Sequence, residues 1–294
     1  MKSGTNTWYR SFSAGTPVVV ALIASACSTD AAVSPSSSAA FARAPYDEPG
    51  MHRQYGNPTK LGNGKARTYV VLDAKSGNTA VELGVALDEK ALDGLPNDNL
   101  EHSFVLPLPQ KGPAPYQFVE LDWNPHGHPP RGVYNVPHFD FHFYTISQSE
   151  WNTIVPSDPN WMARANNLPT GLYVPPFYIV PGPSGAAVAV PKMGVHWLDF
   201  RSPELQNISD PRYRPFTKTF IYGSWNGRFT FYEPMVTLAY LLSQPSDVVT
   251  PIPVPAKYPL TGYFPTAYRV TYDEQAKEYR IALTSLRVRA ANTP

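Results

Sequence analysis

The run Pro137-His138-Phe139-Asp140-Phe141-His142-Phe143-Tyr144 alternates strictly between polar and aromatic residues. As a strand it places His138, Asp140 and His142 on one face and Phe139, Phe141 and Phe143 on the other. Imidazole and carboxylate groups ligate zinc and related ions, and imidazole also exchanges protons near neutral pH. Three such groups on one strand face point to metal binding or acid–base chemistry. Two further short motifs enlarge the set: His126-Gly127-His128-Pro129-Pro130 just upstream and Met193-Gly194-Val195-His196-Trp197 downstream.

Strand geometry limits how these residues can cooperate. Positions four apart on an ideal strand stand ~13 Å from one another, so His138 and His142 share one ion only if the strand bulges or coils. Otherwise Asp140 pairs with one of them, as a ligand or as the carboxylate that fixes an imidazole tautomer. His196 is the natural third ligand, between a glycine that permits close backbone approach and a tryptophan that can exclude water. Glu233 closes the strand-like run Arg228 to Glu233 before Pro234, where a carboxylate can bind metal or act as a base. His128, on a glycine and proline loop, covers the site or supplies a ligand. The candidate ligands are therefore His138, His142, His196 and His128. Glu233 and Asp140 are the candidate catalytic carboxylates, and zinc is the first choice of ion with iron the second. The competing reading makes these histidines hydrogen-bonded packing residues. His52, His102 and His126 receive no role. Gly-x-Ser-x-Gly, His-Glu-x-x-His, the P-loop and the dinucleotide fingerprint are all missing, which removes the commonest hydrolase, protease and nucleotide-binding readings.

The elements that must position these side chains read as short strands. Thirty-three prolines and eighteen tyrosines favour strands joined by irregular loops over long helices. Residues 68–73 and 79–85 flank Lys75-Ser76-Gly77-Asn78, which carries hairpin turn chemistry. Further strands fit at 103–107, 117–122, 138–146, 216–223, 228–233, 267–272 and 278–283. Asp88 to Leu95 and Pro234 to Leu242 read as helices, the second entered through its proline, and Ser147 or Ser149 can cap a short helix ending near Ile154. About ten strands without a βαβ rhythm predict an all-β fold, an antiparallel β-barrel or barrel-like sandwich with a few short helices.

The first residues differ in composition from the rest. Lys2 and Arg10 precede the apolar run Pro17 to Ala26, and the chain's single cysteine, Cys27, follows two small residues. Residues 1–27 thus read as a signal peptide of lipoprotein type with Cys27 as the lipidation site, plain cleavage being the alternative. Residues 28–45, rich in Ser, Ala and Thr, read as a flexible tether, and 46–294 as one β-rich domain. The expected location is the cell envelope, membrane-anchored through lipid on Cys27, or the periplasm or exterior. The domain lacks cysteine, which excludes disulfides and thiolate metal sites. A net charge of +1 with 16% charged residues and no basic run gives no footprint for nucleic acid.

From about residue 60 to 285 the chain resembles a domain-of-unknown-function family of secreted bacterial β-barrel proteins. The resemblance rests on Trp123-Asn124-Pro125 with Gly127-His128-Pro129, on Pro137 to Tyr144, on Met193 to Trp197 and on Phe231-Tyr232-Glu233-Pro234-Met235. It implies one barrel-like domain with the histidine motifs near one another, and no established reaction. Two classes of function follow. One is an exported metal-dependent enzyme, a hydrolase or lyase, or an oxygenase if the ion is iron. The other is a non-catalytic envelope module that binds metal or a small ligand.

Overall fold

The computed structural model describes residues 50–292. Cys27 and the segments read from the sequence as a signal peptide and a tether lie outside the described residues. The chain opens with β1 (Met51–Tyr55), β2 (Thr59–Leu61), β3 (Gly64–Asp73) and β4 (Thr79–Asp88). The Lys75 to Asn78 segment turns β3 back onto β4, with the Asp73 side chain accepting from Lys75 N–H and Gly77 left-handed at φ 70°. There follow β5 (His102–Pro107), β6 (Phe118–Asn124), β7 (His138–Tyr144), β8 (Tyr178–Ile179), β9 (Val195–Asp199), β10 (Lys218–Trp225) and β11 (Arg228–Thr237). The last strands are β12 (Val248–Pro251), β13 (Gly262–Phe264), β14 (Ala267–Asp273), β15 (Glu278–Thr284) and β16 (Arg287–Arg289).

These strands form two antiparallel seven-stranded sheets and a small β13–β16 pair. The first sheet runs β1-β3-β4-β15-β14-β12, with β2 added on β3; the second runs β5-β6-β7-β11-β10-β9-β8. The Phe220 ring of β10 lies 5.5 Å from Tyr268 of β14, Lys218 donates to Thr250 at 2.7 Å, and Thr68 of β3 donates to the Pro107 carbonyl. The sheets thus face each other. Neither closes on itself, so the arrangement is a sandwich and the barrel expectation is corrected. Closing a barrel requires the end strands of one sheet to pair, and here the edge strands β12, β5 and β8 each pair on one side only.

Alternation builds the core between the sheets. Leu83, Val85, Leu87, Ile281 and Leu283 from the first sheet share one apolar cluster with Phe139, Phe141, Phe143, Phe220 and Tyr222 from the second. Each large side chain buried this way stabilises by about 1.5–3 kcal/mol relative to exposure. The same alternation turns His138, Asp140 and His142 to the far face of the second sheet, away from the sandwich core. Two of the three predicted helices are revised. Strand β4 runs to Asp88, and only a 3-10 turn, Glu89–Leu92, follows it. Strand β11 continues through Pro234 to Thr237, and a one-turn helix, Leu238–Leu242, begins there because the Thr237 hydroxyl accepts from Tyr240 N–H. Pro234 keeps its place opposite Phe220 of β10, while the β7–β11 pairing lapses between Tyr232 opposite Phe143 and Met235 opposite Asp140, where proline has no N–H to donate. The short helix Gln148–Trp151 is capped by Ser147, one of the two serines expected to do so.

Candidate metal centre

Four strands of the second sheet, β6, β7, β11 and β9, bring polar side chains to its outer face. Between β6 and β7, Glu120 lies opposite His142, Asp122 opposite Asp140, and Asn124 opposite His138. Counting along β11 from Tyr232, opposite Phe143, Glu233 comes next to His142. His196 stands on β9 opposite Gly223 of β10, the strand between it and β11. Gly223 has no side chain to block the crossing, and a Cβ there would meet the Phe231 ring at 1.9 Å. Phe231 in turn packs edge-on against both His142 and His196, at 4.8 and 5.3 Å. Gly194 is left-handed at φ 82°, and a Cβ on it would stand 2.4 Å from the Ser224 carbonyl. Glycine is thus required for β9 to lie as close as it does.

The structure divides the predicted single site into two neighbouring groups. In the first, Nε2 of His142 is 3.5 Å from Glu233 Oε1, and Nε2 of His196 is 3.7 Å from Glu233 Oε2. Nδ1 of His142 is 3.2 Å from Asp122 Oδ2, without hydrogen-bond alignment. Glu120 accepts from the Tyr144 hydroxyl at 3.3 Å and shares a ligand-sized grouping with Asp122 and His142. His142, Asp122 and Glu233 are buried, whereas the His196 side chain is 20% exposed and marks the solvent side.

In the second group, Asp140 lies between two imidazoles, with Oδ1 3.2 Å from His138 Nε2 and Oδ2 3.3 Å from His128 Nε2. Asn124 also donates to Asp140 Oδ2, at 2.8 Å. Nδ1 of His138 contacts the Val136 carbonyl at 2.6 Å, and Nδ1 of His128 contacts the Pro129 carbonyl at 2.7 Å. A carbonyl only accepts, so each Nδ1 carries its hydrogen, and His128 Nε2 makes a hydrogen bond with Asp140 Oδ2. A cleft of about 270 Å³, lined by Val136, Tyr213 and Phe216 among others, opens beside this group. His138 and His142 do not converge, because the four-residue offset along an unbulged β7 keeps them apart; each has instead recruited the partner nearest to it.

Burial and mutual repulsion shift the acids. Burial and the neighbouring Asp122 push Glu120 up to about 7, and burial raises Asp122 and Glu233 well above the usual carboxylate range. Burial also works against Asp140, yet His138 and His128 hold it well below that range. His128 is pulled down by burial, but the hydrogen bond to Asp140 outweighs this and raises it to about 9. Burial, aided by His142, lowers His196 to about 3. Among the described residues no lysine or arginine pairs with Glu120, Asp122, Asp140 or Glu233; their ion-pair partners are imidazoles alone.

Three groupings of these side chains could hold a metal ion: His142 with His196 and Glu233, His128 with His138 and Asp140, and Glu120 with Asp122 and His142. All six residues singled out from the sequence within the described region fall in the first two. Sequence reasoning missed Glu120, Asp122 and Asn124, although Phe118-Val119-Glu120-Leu121-Asp122-Trp123-Asn124 repeats the alternation of β7 one strand earlier.

A protein-family model described as TTHB210-like, hypothetical protein TTHB210, matches residues 77–123. The match spans β4 to β6 and ends before the histidine motifs. No curated protein and no solved structure matches the chain.

Proposed function

We propose that the protein binds a divalent transition-metal ion, zinc the best match and iron the next, through His142, His196 and Glu233, and acts as a metal-dependent hydrolase or lyase. The observation that carries this reading is a spacing. Ligands at ~2.1 Å around a tetrahedral ion stand ~3.4 Å from one another, and the imidazole–carboxylate separations are 3.5 and 3.7 Å. A charge-assisted hydrogen bond would draw the same atoms to about 2.7–2.9 Å. His142 Nε2 and Glu233 Oε2 are buried without a hydrogen-bond partner, a condition that disfavours folding unless something else satisfies them.

Three protein ligands leave one tetrahedral position open, on the side where His196 reaches solvent. A bound ion would supply Lewis acidity, polarising a carbonyl or acidifying a water. Glu233 then serves as a ligand, and Asp140 stays with His128 and His138. Burial favours the protonated forms of Glu120 and Asp122 behind His142, which makes them the groups suited to proton transfer beside the ion. Metal analysis of tag-free protein tests the reading: wild type should retain an ion through desalting and His196→Ala should lose it while keeping its far-UV dichroism. Metal at buffer level in wild type, loaded or unloaded, would sink the proposal.

A non-catalytic metal- or small-ligand-binding module is the second reading, favoured by the burial of two of the three ligands, His142 at 1% and Glu233 at 2% side-chain exposure. Metal-loaded protein that leaves ester, phosphoester and lactone substrates untouched, with no chelator-sensitive turnover, selects this reading. In either case we propose export to the cell envelope and anchoring through Cys27, on the strength of the basic start, the apolar run and the lone cysteine. Cys27→Ser should shift the protein from the membrane to the soluble fraction or block its maturation.

A further inference from the structure

We infer that His128, His138 and Asp140 form a second metal site, so that the outer face of this sheet holds two transition ions side by side rather than one. The inference rests on the same physical reading as the first site, but on different atoms. Two imidazoles and a carboxylate are again the donors, a set that favours zinc, copper, nickel or iron over magnesium or calcium. Nε2 of His138 and Oδ1 of Asp140 are both buried without a hydrogen-bond partner, on side chains 0% and 3% exposed.

The supporting contacts are those of a ligand set held ready. Backbone carbonyls hold both Nδ1–H groups, at 2.6 Å for His138 and 2.7 Å for His128, which fixes the ring orientations and turns both Nε2 atoms toward the Asp140 carboxylate, where His138 Nε2 has no partner and His128 Nε2 meets Oδ2 at 3.3 Å. Asn124 holds the Asp140 carboxylate from the far strand. The imidazole–carboxylate separations of 3.2 and 3.3 Å match a tetrahedral edge of ~3.4 Å. The two rings meet edge to face with centroids 4.7 Å apart. Same-face neighbours on a strand are ~6.8 Å apart, so the ligands Asp140 and His142 place the two ions in adjacent sites. The second site is the more open of the two, because the His128 side chain is 32% exposed and comes from a loop. The competing description is a protonated His128 paired with Asp140 and no ion.

Chelator-treated protein titrated with zinc against a chromophoric chelator, with the bound metal counted after desalting, separates these cases. Wild type should take up about two equivalents, His128→Ala and His196→Ala about one each, and the double variant none. His128 sits on a partly exposed loop, so its removal should leave the fold intact, and His128→Gln repeats the test with a bulkier side chain. One equivalent in wild type that His128→Ala leaves unchanged overturns the second site and spares the first. One equivalent lost in His128→Ala but kept in His196→Ala retains the second site and overturns the first. Two equivalents surviving in both His128 variants, or none in wild type, overturns the second site outright.

Discussion

On the outer face of the first sheet, Glu82 accepts from the Tyr69 hydroxyl at 2.8 Å and lies 3.2 Å from Arg269, which also reaches Asp247 at 2.6 Å. On the adjacent strand β15, Arg280 contacts Glu278 at 3.1 Å and also pairs with Asp273, and Arg67 closes on Glu278 as well. On the outer face of the second sheet, Glu120, Asp122, Asp140 and Glu233 are just as buried, yet among the described residues the only ion-pair partners they meet are imidazoles. Burial of charge is common to both faces and so identifies neither as a site. The difference lies in the counter-charge: guanidinium groups are built into the first face, while the second lacks them and has imidazoles at ligand spacing instead. A missing cation, more than the presence of histidine, is what makes the second face a candidate centre.

The largest test of this contrast is on the paired face. Glu82→Ala removes the acceptor of Tyr69 and a partner of Arg269, which is 4% exposed. Breaking a buried ion pair from one side destabilises by about 3–5 kcal/mol, and urea denaturation should show a loss of that order. Glu233→Gln on the other face removes an acid that has no cationic partner among lysines and arginines. Metal-free protein should therefore keep its stability in Glu233→Gln. An equal loss in both variants would mean that the two faces are balanced alike.

Next in size is the effect of the ion itself. A ligand bound only by the native state stabilises it by about 2.7 kcal/mol at a hundredfold excess over Kd. For a domain of this size that corresponds to a rise in Tm of roughly 5–10 °C. Zinc should produce it in wild type and in Glu82→Gln, and should fail to do so in a His142→Ala, His128→Ala double variant. A rise that persists in the double variant would place the ion elsewhere on the molecule.

The alternation in Pro137 to Tyr144 made one side of this contrast legible, and Gly194 marked His196, because both signals are local. The division into two centres was not legible, since it depends on which strand lies beside β7 at each position. Asn124 and Asp122 arrive from β6, but Glu233 arrives from β11 and His196 crosses over Gly223. The choice between barrel and sandwich was hidden for the same reason. Strand β15 pairs with β4 although nearly two hundred residues separate them, and no periodicity within either strand records the pairing. Pro234 misled through local chemistry: it opens helices well, but it also fits a strand at an interrupted ladder position.

The two faces should also respond oppositely to pH. Burial raises Glu120 to about 7 from an ordinary value of 4.5. A folded-state pKa above the unfolded value gives stability that is present below the unfolded pKa and lost as pH rises through the folded one. Metal-free protein should lose stability between about pH 4.5 and 7, by at most ~1.4 kcal/mol per pH unit for each such group. Asp273 on the first face, though burial opposes it, is held low by the Ala276 N–H and Arg280. Its contribution is present above the unfolded pKa and is lost as pH falls through the folded one. Glu120→Gln should flatten the neutral limb and leave the acid limb in place. An unchanged neutral limb in that variant would remove Glu120 as its source.

The smallest expected effect concerns the rim. Glu101 lies at the rim just before β5, where partial desolvation of its carboxyl and the charge of Asp140 raise it above the ordinary range. It feels the field of the centre without ligating in either group. A charge acting through partly solvated space contributes about 1 kcal/mol or less and is screened by salt over ~8–10 Å. Glu101→Gln should weaken zinc binding by no more than about fivefold in low salt, and the difference should shrink as salt is added. The buried ligands should show no such salt dependence, because coordination at direct contact is not screened. If Glu101→Gln instead abolishes a full equivalent of zinc, Glu101 is a ligand, and the ligand groups extend past β6 to the edge of the sheet.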